Sequence, residues 1–177
     1  MKFLLMFATL AVALCSPSLD AQSKNIFDAA RANDRISIQA YIDQRADLNQ
    51  KDDRGYTPLI LATYNQSPEV AELLLTHGAQ VDARDPMGRT ALMGASFQGD
   101  QECVRLLLKY GARIDAVDAN GATALMYAVQ FGRKAVISQL ISAKADVSIK
   151  DKRGFDAIVL AEQTGDPEIL ALVKQSK

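Results

Sequence analysis

From residue 52 onward, polar and apolar positions alternate in blocks that return every 33 residues. Each block opens on a polar string with aspartate and glycine at fixed places. Asp52, Asp85, Asp118 and Asp151 lead, and Gly55, Gly88, Gly121 and Gly154 follow three residues later. A first apolar stretch comes next, read as TPLILA, TALMGA, TALMYA and DAIVLA. After a short polar turn there is a second one: VAELLLTHGA, CVRLLLKYGA, VISQLISAKA and a shortened ILALVK. A fixed period of this length predicts a repeat array in which each unit is a pair of short helices. Leu73, Leu74 and Leu75, and again Leu106, Leu107 and Leu108, make an apolar face too broad for one helix pair to bury. Stacked neighbours bury it, so the units stabilise one another.

The helix ends carry their own signals. Thr57 suits an N-cap and Pro58 the first helical position, where a missing N–H costs nothing. Ser67-Pro68 and Asp166-Pro167 repeat the device before a second helix, with Glu69 and Glu168 in the first turn, where the helix dipole favours negative charge. Gly99, Gly132 and Gly165 fall where first helices end in a left-handed residue, and Gly78 and Gly111 do the same for second helices.

In register, these strings resemble ankyrin repeats, whose pattern reads D-x-x-G-x-T-P-L-h-x-A and, later, L-L-x-x-G-A. Residues 52–84 match at Asp52, Gly55, Thr57, Pro58, Leu59, Ala62, Leu74, Leu75, Gly78 and Ala79. The next two units match at Asp85, Gly88, Thr90, Leu92 and Ala95, and at Asp118, Gly121, Thr123, Leu125 and Ala128. A degenerate first unit begins near Asn25. The resemblance implies an all-α solenoid of stacked helix-turn-helix units with β-turn or hairpin fingers. The expected organisation is a segment 1–21 followed by one domain, 22–177. Its units are 23–51 (N-terminal cap), 52–84, 85–117, 118–150 and 151–177 (C-terminal cap). Departures matter too. Arg45 and Lys144 stand where glycine is usual, Ala91 and Ala124 replace proline, and Ile60, Met93, Met126 and Val159 replace a histidine. Asp156 replaces a threonine. Lower local stability is expected in the first unit and around Lys144.

Residues 1–21 read as a secretory signal peptide: Lys2, a twelve-residue run from Phe3 to Leu14 with only Thr9 polar, then small and polar residues up to Ala21. Cleavage after Cys15, lipidation of Cys15 and an uncleaved anchor are the alternatives to cleavage after Ala21. The expectation is export, with the periplasm ahead of full secretion and a bacterial source, and no membrane association after cleavage. The charges nearly balance, 20 basic against 21 acidic, so no nucleic-acid footprint is expected. The expected state is a monomer.

Chemistry is sparse. His77 is the only histidine, and Cys103 the only cysteine beyond the leader. Together they cannot supply a typical zinc site, and there is no glycine-rich phosphate loop or nucleophile elbow. No cofactor, metal or catalytic set is expected. Cys103 occupies the column of Val70, Val136 and Ile169, which predicts a small buried hydrophobe. The repeated aspartates are expected to bond local backbone N–H groups at each turn.

Function is therefore expected on the surface. By the resemblance, binding falls on a concave strip made of the finger residues and the late residues of each first helix. The expected partner-binding set is Arg54, Tyr56, Tyr64, Met87, Arg89, Phe97, Asn120, Phe131, Arg153 and Phe155. Aromatics interleaved with arginine have the composition of a protein-binding hot spot. The resemblance thus implies a non-enzymatic scaffold that modulates or stabilises a partner protein outside the cytoplasm. A secreted effector that binds host proteins is the alternative.

Overall fold

A computed structural model describes residues 25–175 of the chain. The expected signal segment lies outside the described residues. Among these residues ten α-helices follow in pairs: α1 Ile26–Arg31, α2 Arg35–Asp43, α3 Pro58–Tyr64, α4 Pro68–Thr76, α5 Ala91–Gln98, α6 Gln101–Lys109, α7 Ala124–Gln130, α8 Lys134–Ser142, α9 Ala157–Thr164 and α10 Pro167–Lys174. None exceeds nine residues, a length that is marginal in isolation. Packing supplies what length does not. The odd-numbered helices stack in one layer and the even-numbered helices in a second, each resting on its pair-mate and its same-layer neighbours.

The core is a set of columns with one residue from each unit. Leu59, Leu92 and Leu125 fill the first layer, each 1 % exposed, and Leu74, Leu107 and Leu140 fill the second at 0 %. Val70, Cys103, Val136 and Ile169 form another buried column, as the sequence predicts for Cys103. Burial and then the neighbouring Asp100 carboxylate push the Cys103 thiol well above its usual range. The thiolate is the reactive form, and it is suppressed here. A maleimide reagent is accordingly expected to label Cys103 slowly in native protein and quickly in denaturant; equal rates would contradict the buried column.

Several ends follow the caps the sequence predicts. The Thr57 and Thr123 hydroxyl oxygens accept from Ile60 N–H and Met126 N–H at 3.3 Å each, and the substituted Asp156 accepts from Val159 N–H at 2.9 Å. Asp166 caps α10 through Glu168 N–H at 2.9 Å. Ser67 is a correction. It occupies the N-cap of α4, but its side chain caps nothing. Its hydroxyl instead donates to the Asn65 carbonyl at 3.4 Å, a competing local bond open to serine near helix starts.

Arg45 and Lys144 do adopt the left-handed backbone, with φ of 57° and 69°, in the column where Gly78 and Gly111 have 90° and 84°. A Cβ makes this region costly. Lys144→Gly is expected to raise stability by about 0.5–1 kcal/mol, the steric relief outweighing the added freedom of the unfolded glycine. The urea midpoint measures it, and no upward shift would mean the strain is absent.

Between helix pairs the chain forms a finger. No strand occurs among the described residues, so the fingers are tight turns without a hairpin ladder. In each, glycine N–H bonds the aspartate carbonyl, as in Gly55 to Asp52 at 2.8 Å, and the aspartate N–H bonds the carbonyl four residues on, as in Asp52 to Tyr56 at 2.9 Å. Adjacent fingers are also tied. Ala119 N–H donates to Met87 C=O, and Lys152 N–H to Asn120 C=O, both at 2.9 Å. The matching donor in the preceding finger would be residue 86, which is proline and has no N–H. There the proline ring seats against Gly55 instead. A Cβ on Gly55 would lie 2.6 Å from Pro86 Cγ, and its φ is +81°. Glycine is required on both counts.

Candidate functional site

The finger aspartates set the strip. In all four fingers one carboxylate oxygen, Oδ1, accepts two backbone N–H bonds. For Asp85 they come from Met87 and Arg89, both at 2.8 Å; for Asp118 from Asn120 at 2.7 Å and Ala122 at 2.9 Å. Asp52 and Asp151 repeat the pattern with Arg54 and Tyr56, and with Arg153 and Phe155. These are the local turn bonds expected from the sequence. The second oxygen differs from unit to unit and so gives each finger its own character. Asp52 takes Arg31 at 2.6 Å, Asp85 takes Arg89 Nε at 2.7 Å, Asp118 accepts from Tyr127 OH at 2.8 Å, and Asp151 takes Arg153 at 2.8 Å. Burial, then this bond to Asp118, pushes the Tyr127 phenol up to about 12. It stays protonated and donates.

These bonds sort the expected binding residues. Arg89 is committed to Asp85 and donates a second, longer bond (3.3 Å) to Tyr56 OH, while Arg153 is committed to Asp151 and lies 5.0 Å from the Phe155 ring centroid. Tyr56 and Phe155 are half-buried against the core. Met87 is 47 % exposed at a finger tip, and Asn120 is exposed while its carbonyl ties the next finger. Arg54 is exposed, and its guanidinium meets no carboxylate among the described residues. At the other end of the strip the rings of Tyr64, Phe97 and Phe131 touch in series. Tyr64 and Phe97 stack at 5.6 Å and 9°, and Phe97 meets Phe131 edge-on at 4.4 Å and 65°. Tyr64 and Phe131 keep 46 % and 43 % of their surface open. Three units thus contribute to one aromatic ladder.

Between fingers and ladder the strip sinks into a recess of about 370 Å³, with Arg54, Tyr56, Tyr64, Arg89 and Phe97 among its walls. Among the lining residues that sequence reasoning did not place on the strip are Arg31, Gly94 and Tyr127. A signal for two of them existed. From residue 52 onward the column Leu61, Gly94, Tyr127, Leu160 holds a large side chain in every unit but one. Gly94 lies inside α5, where glycine costs about 1 kcal/mol relative to alanine. Its missing side chain opens the recess floor.

The rest of the molecule offers little chemistry. His77 is exposed at the end of α4, with Nδ1 bonding the Leu73 carbonyl at 2.8 Å, a helix-capping contact. Among the described residues no group of three His, Cys, Asp or Glu is placed to hold a metal ion, and no helix is long and apolar enough to cross a membrane.

Paired helices in two layers, with tied fingers over an aromatic strip, define a repeat scaffold that presents a surface. The family model for three copies of the ankyrin repeat matches residues 26–118, and the model for a single ankyrin repeat matches residues 120–152. The chain belongs to the ankyrin-repeat family, whose repeats are generally a non-enzymatic protein–protein interaction module. A comparison with curated proteins gave no match.

Proposed function

We propose that this chain is a non-enzymatic scaffold that acts outside the cytoplasm, in a periplasm, and holds a partner protein on its concave strip. It would modulate or stabilise that partner. The observation that carries the reading is the Tyr64–Phe97–Phe131 ladder. Large aromatic area left open on a rigid frame is expensive in water and is the usual anchor of a protein interface. Three units align to build it, and its two outer rings remain close to half open. Export rests on the three-part pattern of residues 1–21.

The test uses the full array as bait for periplasmic extract, beside the double variant Tyr64→Ala/Phe97→Ala. A protein retained by the wild type should be retained at least tenfold less by the variant, a loss of about 1.4 kcal/mol or more. The helical melting curve should barely move. Equal retention by both proteins would overturn the assignment of the strip. So would unfolding of the variant, because the rings would then be core. N-terminal sequencing of protein recovered outside the cytoplasm tests export.

A further inference from the structure

We infer that the recess between α3 and α5 takes an extended acidic peptide segment of the partner, with one large apolar side chain seated over Gly94 and one carboxylate held by Arg54; this rests on the strip being the partner-binding face.

The apolar half of the site is built by subtraction. Gly94 stands where neighbouring units carry Leu61 and Tyr127, and the resulting hollow is walled by the stacked Tyr64 and Phe97 rings. A Cβ on Gly94 would meet nothing closer than 3.8 Å, at Thr63 Oγ1 and Tyr64 Cδ2. Packing therefore does not require glycine at this helix-interior position, although glycine costs helix stability there. The side-chain volume it leaves empty suits an apolar group from outside.

The charged half follows from which cations are spoken for. Arg31, Arg54 and Arg89 reach the recess, and Asp85 is the carboxylate in its wall. Arg31 is taken by Asp28 at 3.0 Å and Asp52 at 2.6 Å, and Arg89 by Asp85 at 2.7 Å. Arg54 alone of the three has no acidic partner among the described residues. Its planar fork is shaped for a carboxylate. The rim therefore favours an acid and disfavours a lysine.

Spacing follows from the helix. Arg54 sits on the finger before α3, and Tyr64, whose ring walls the hollow over Gly94, is the last residue of that seven-residue helix. At 1.5 Å per residue the helix spans about 10 Å. An extended chain covers that span in about three residues. The carboxylate and the apolar side chain should therefore lie about three positions apart.

The test uses labelled, end-blocked Gly/Ser peptides carrying one Glu and one Phe one, three or six positions apart, and the same peptides with Lys for Glu, read by fluorescence anisotropy against the whole protein. The three-position Glu peptide should bind most tightly, at least tenfold better than its Lys counterpart. Arg54→Glu should reverse that preference, and Gly94→Leu should abolish binding while the helical signal and melting curve persist. Equal binding of Glu and Lys peptides, an unchanged preference in Arg54→Glu, undiminished binding in Gly94→Leu, or no binding at millimolar peptide would each overturn the inference. If acid preference is absent but Tyr64→Ala/Phe97→Ala still weakens capture of the partner protein, the strip stands and only the acidic segment falls. If the double variant changes neither measurement, both readings fall.

Discussion

Truncating Leu107 to alanine is expected to lower the unfolding free energy by about 2–5 kcal/mol. The side chain is 0 % exposed on α6, and α6 is packed between α4 and α8 as well as on α5. Removing three carbons therefore leaves a cavity bounded by three units, and no single unit can collapse to fill it. In an array stabilised by neighbour contacts, loss at a central unit weakens both interfaces it makes. Leu74, equally buried on α4, should behave alike. Tyr64→Ala gives the contrast, because 46 % of that side chain already faces water. Urea unfolding followed by circular dichroism compares the three directly. A loss below about 1 kcal/mol at Leu107 would show that the stack relaxes around the void.

Asp85→Ala should cost about 2–4 kcal/mol, nearly as much, without removing any apolar surface. The Asp85 side chain is 1 % exposed and holds three donors: the N–H groups of Met87 and Arg89 and the Arg89 guanidinium. Alanine removes the acceptor of all three at a part-buried turn, and the finger loses the geometry that aims Arg89 across the strip. Asp85→Asn separates the contributions. An amide oxygen can still accept the two backbone bonds, but the charge opposite Arg89 is gone, so the expected cost is about 1–1.5 kcal/mol. Equal destabilisation by Ala and Asn would mean the ion pair dominates. A negligible effect of Ala would mean that water replaces the carboxylate without penalty.

The array and its helix pairs were legible because period and caps are local. Asp52, Gly55, Thr57 and Pro58 each fix a backbone feature within a few residues, and that arrangement repeats. Ser67 misled because its hydroxyl had two nearby bonds to choose from, and composition does not rank them. The strip residues could be named by column, but their availability could not. Arg54, Arg89 and Arg153 look alike in sequence, yet only the folded turn shows that Asp85 and Asp151 have already claimed two of them. Gly94 was visible as an odd member of its column. Its meaning needed the walls around it, and besides nearby Phe97 those include Tyr64 and Tyr127, about thirty positions away on either side.

Pro86 has one more effect. Of the three joints between the four fingers, two are crossed by a main-chain bond and the one between Arg54 and Pro86 is not. It is held instead by ring packing against Gly55, the reach of Lys51 to the Arg84 carbonyl at 2.9 Å and the Arg89 bond to Tyr56 OH at 3.3 Å. The helices α3 and α5 beneath it pack as closely as α5 and α7, so any extra freedom at this joint is expected in the fingers. The same two fingers carry Arg54, Tyr56 and Arg89, so a shift between them is expected to alter the mouth of the aromatic hollow.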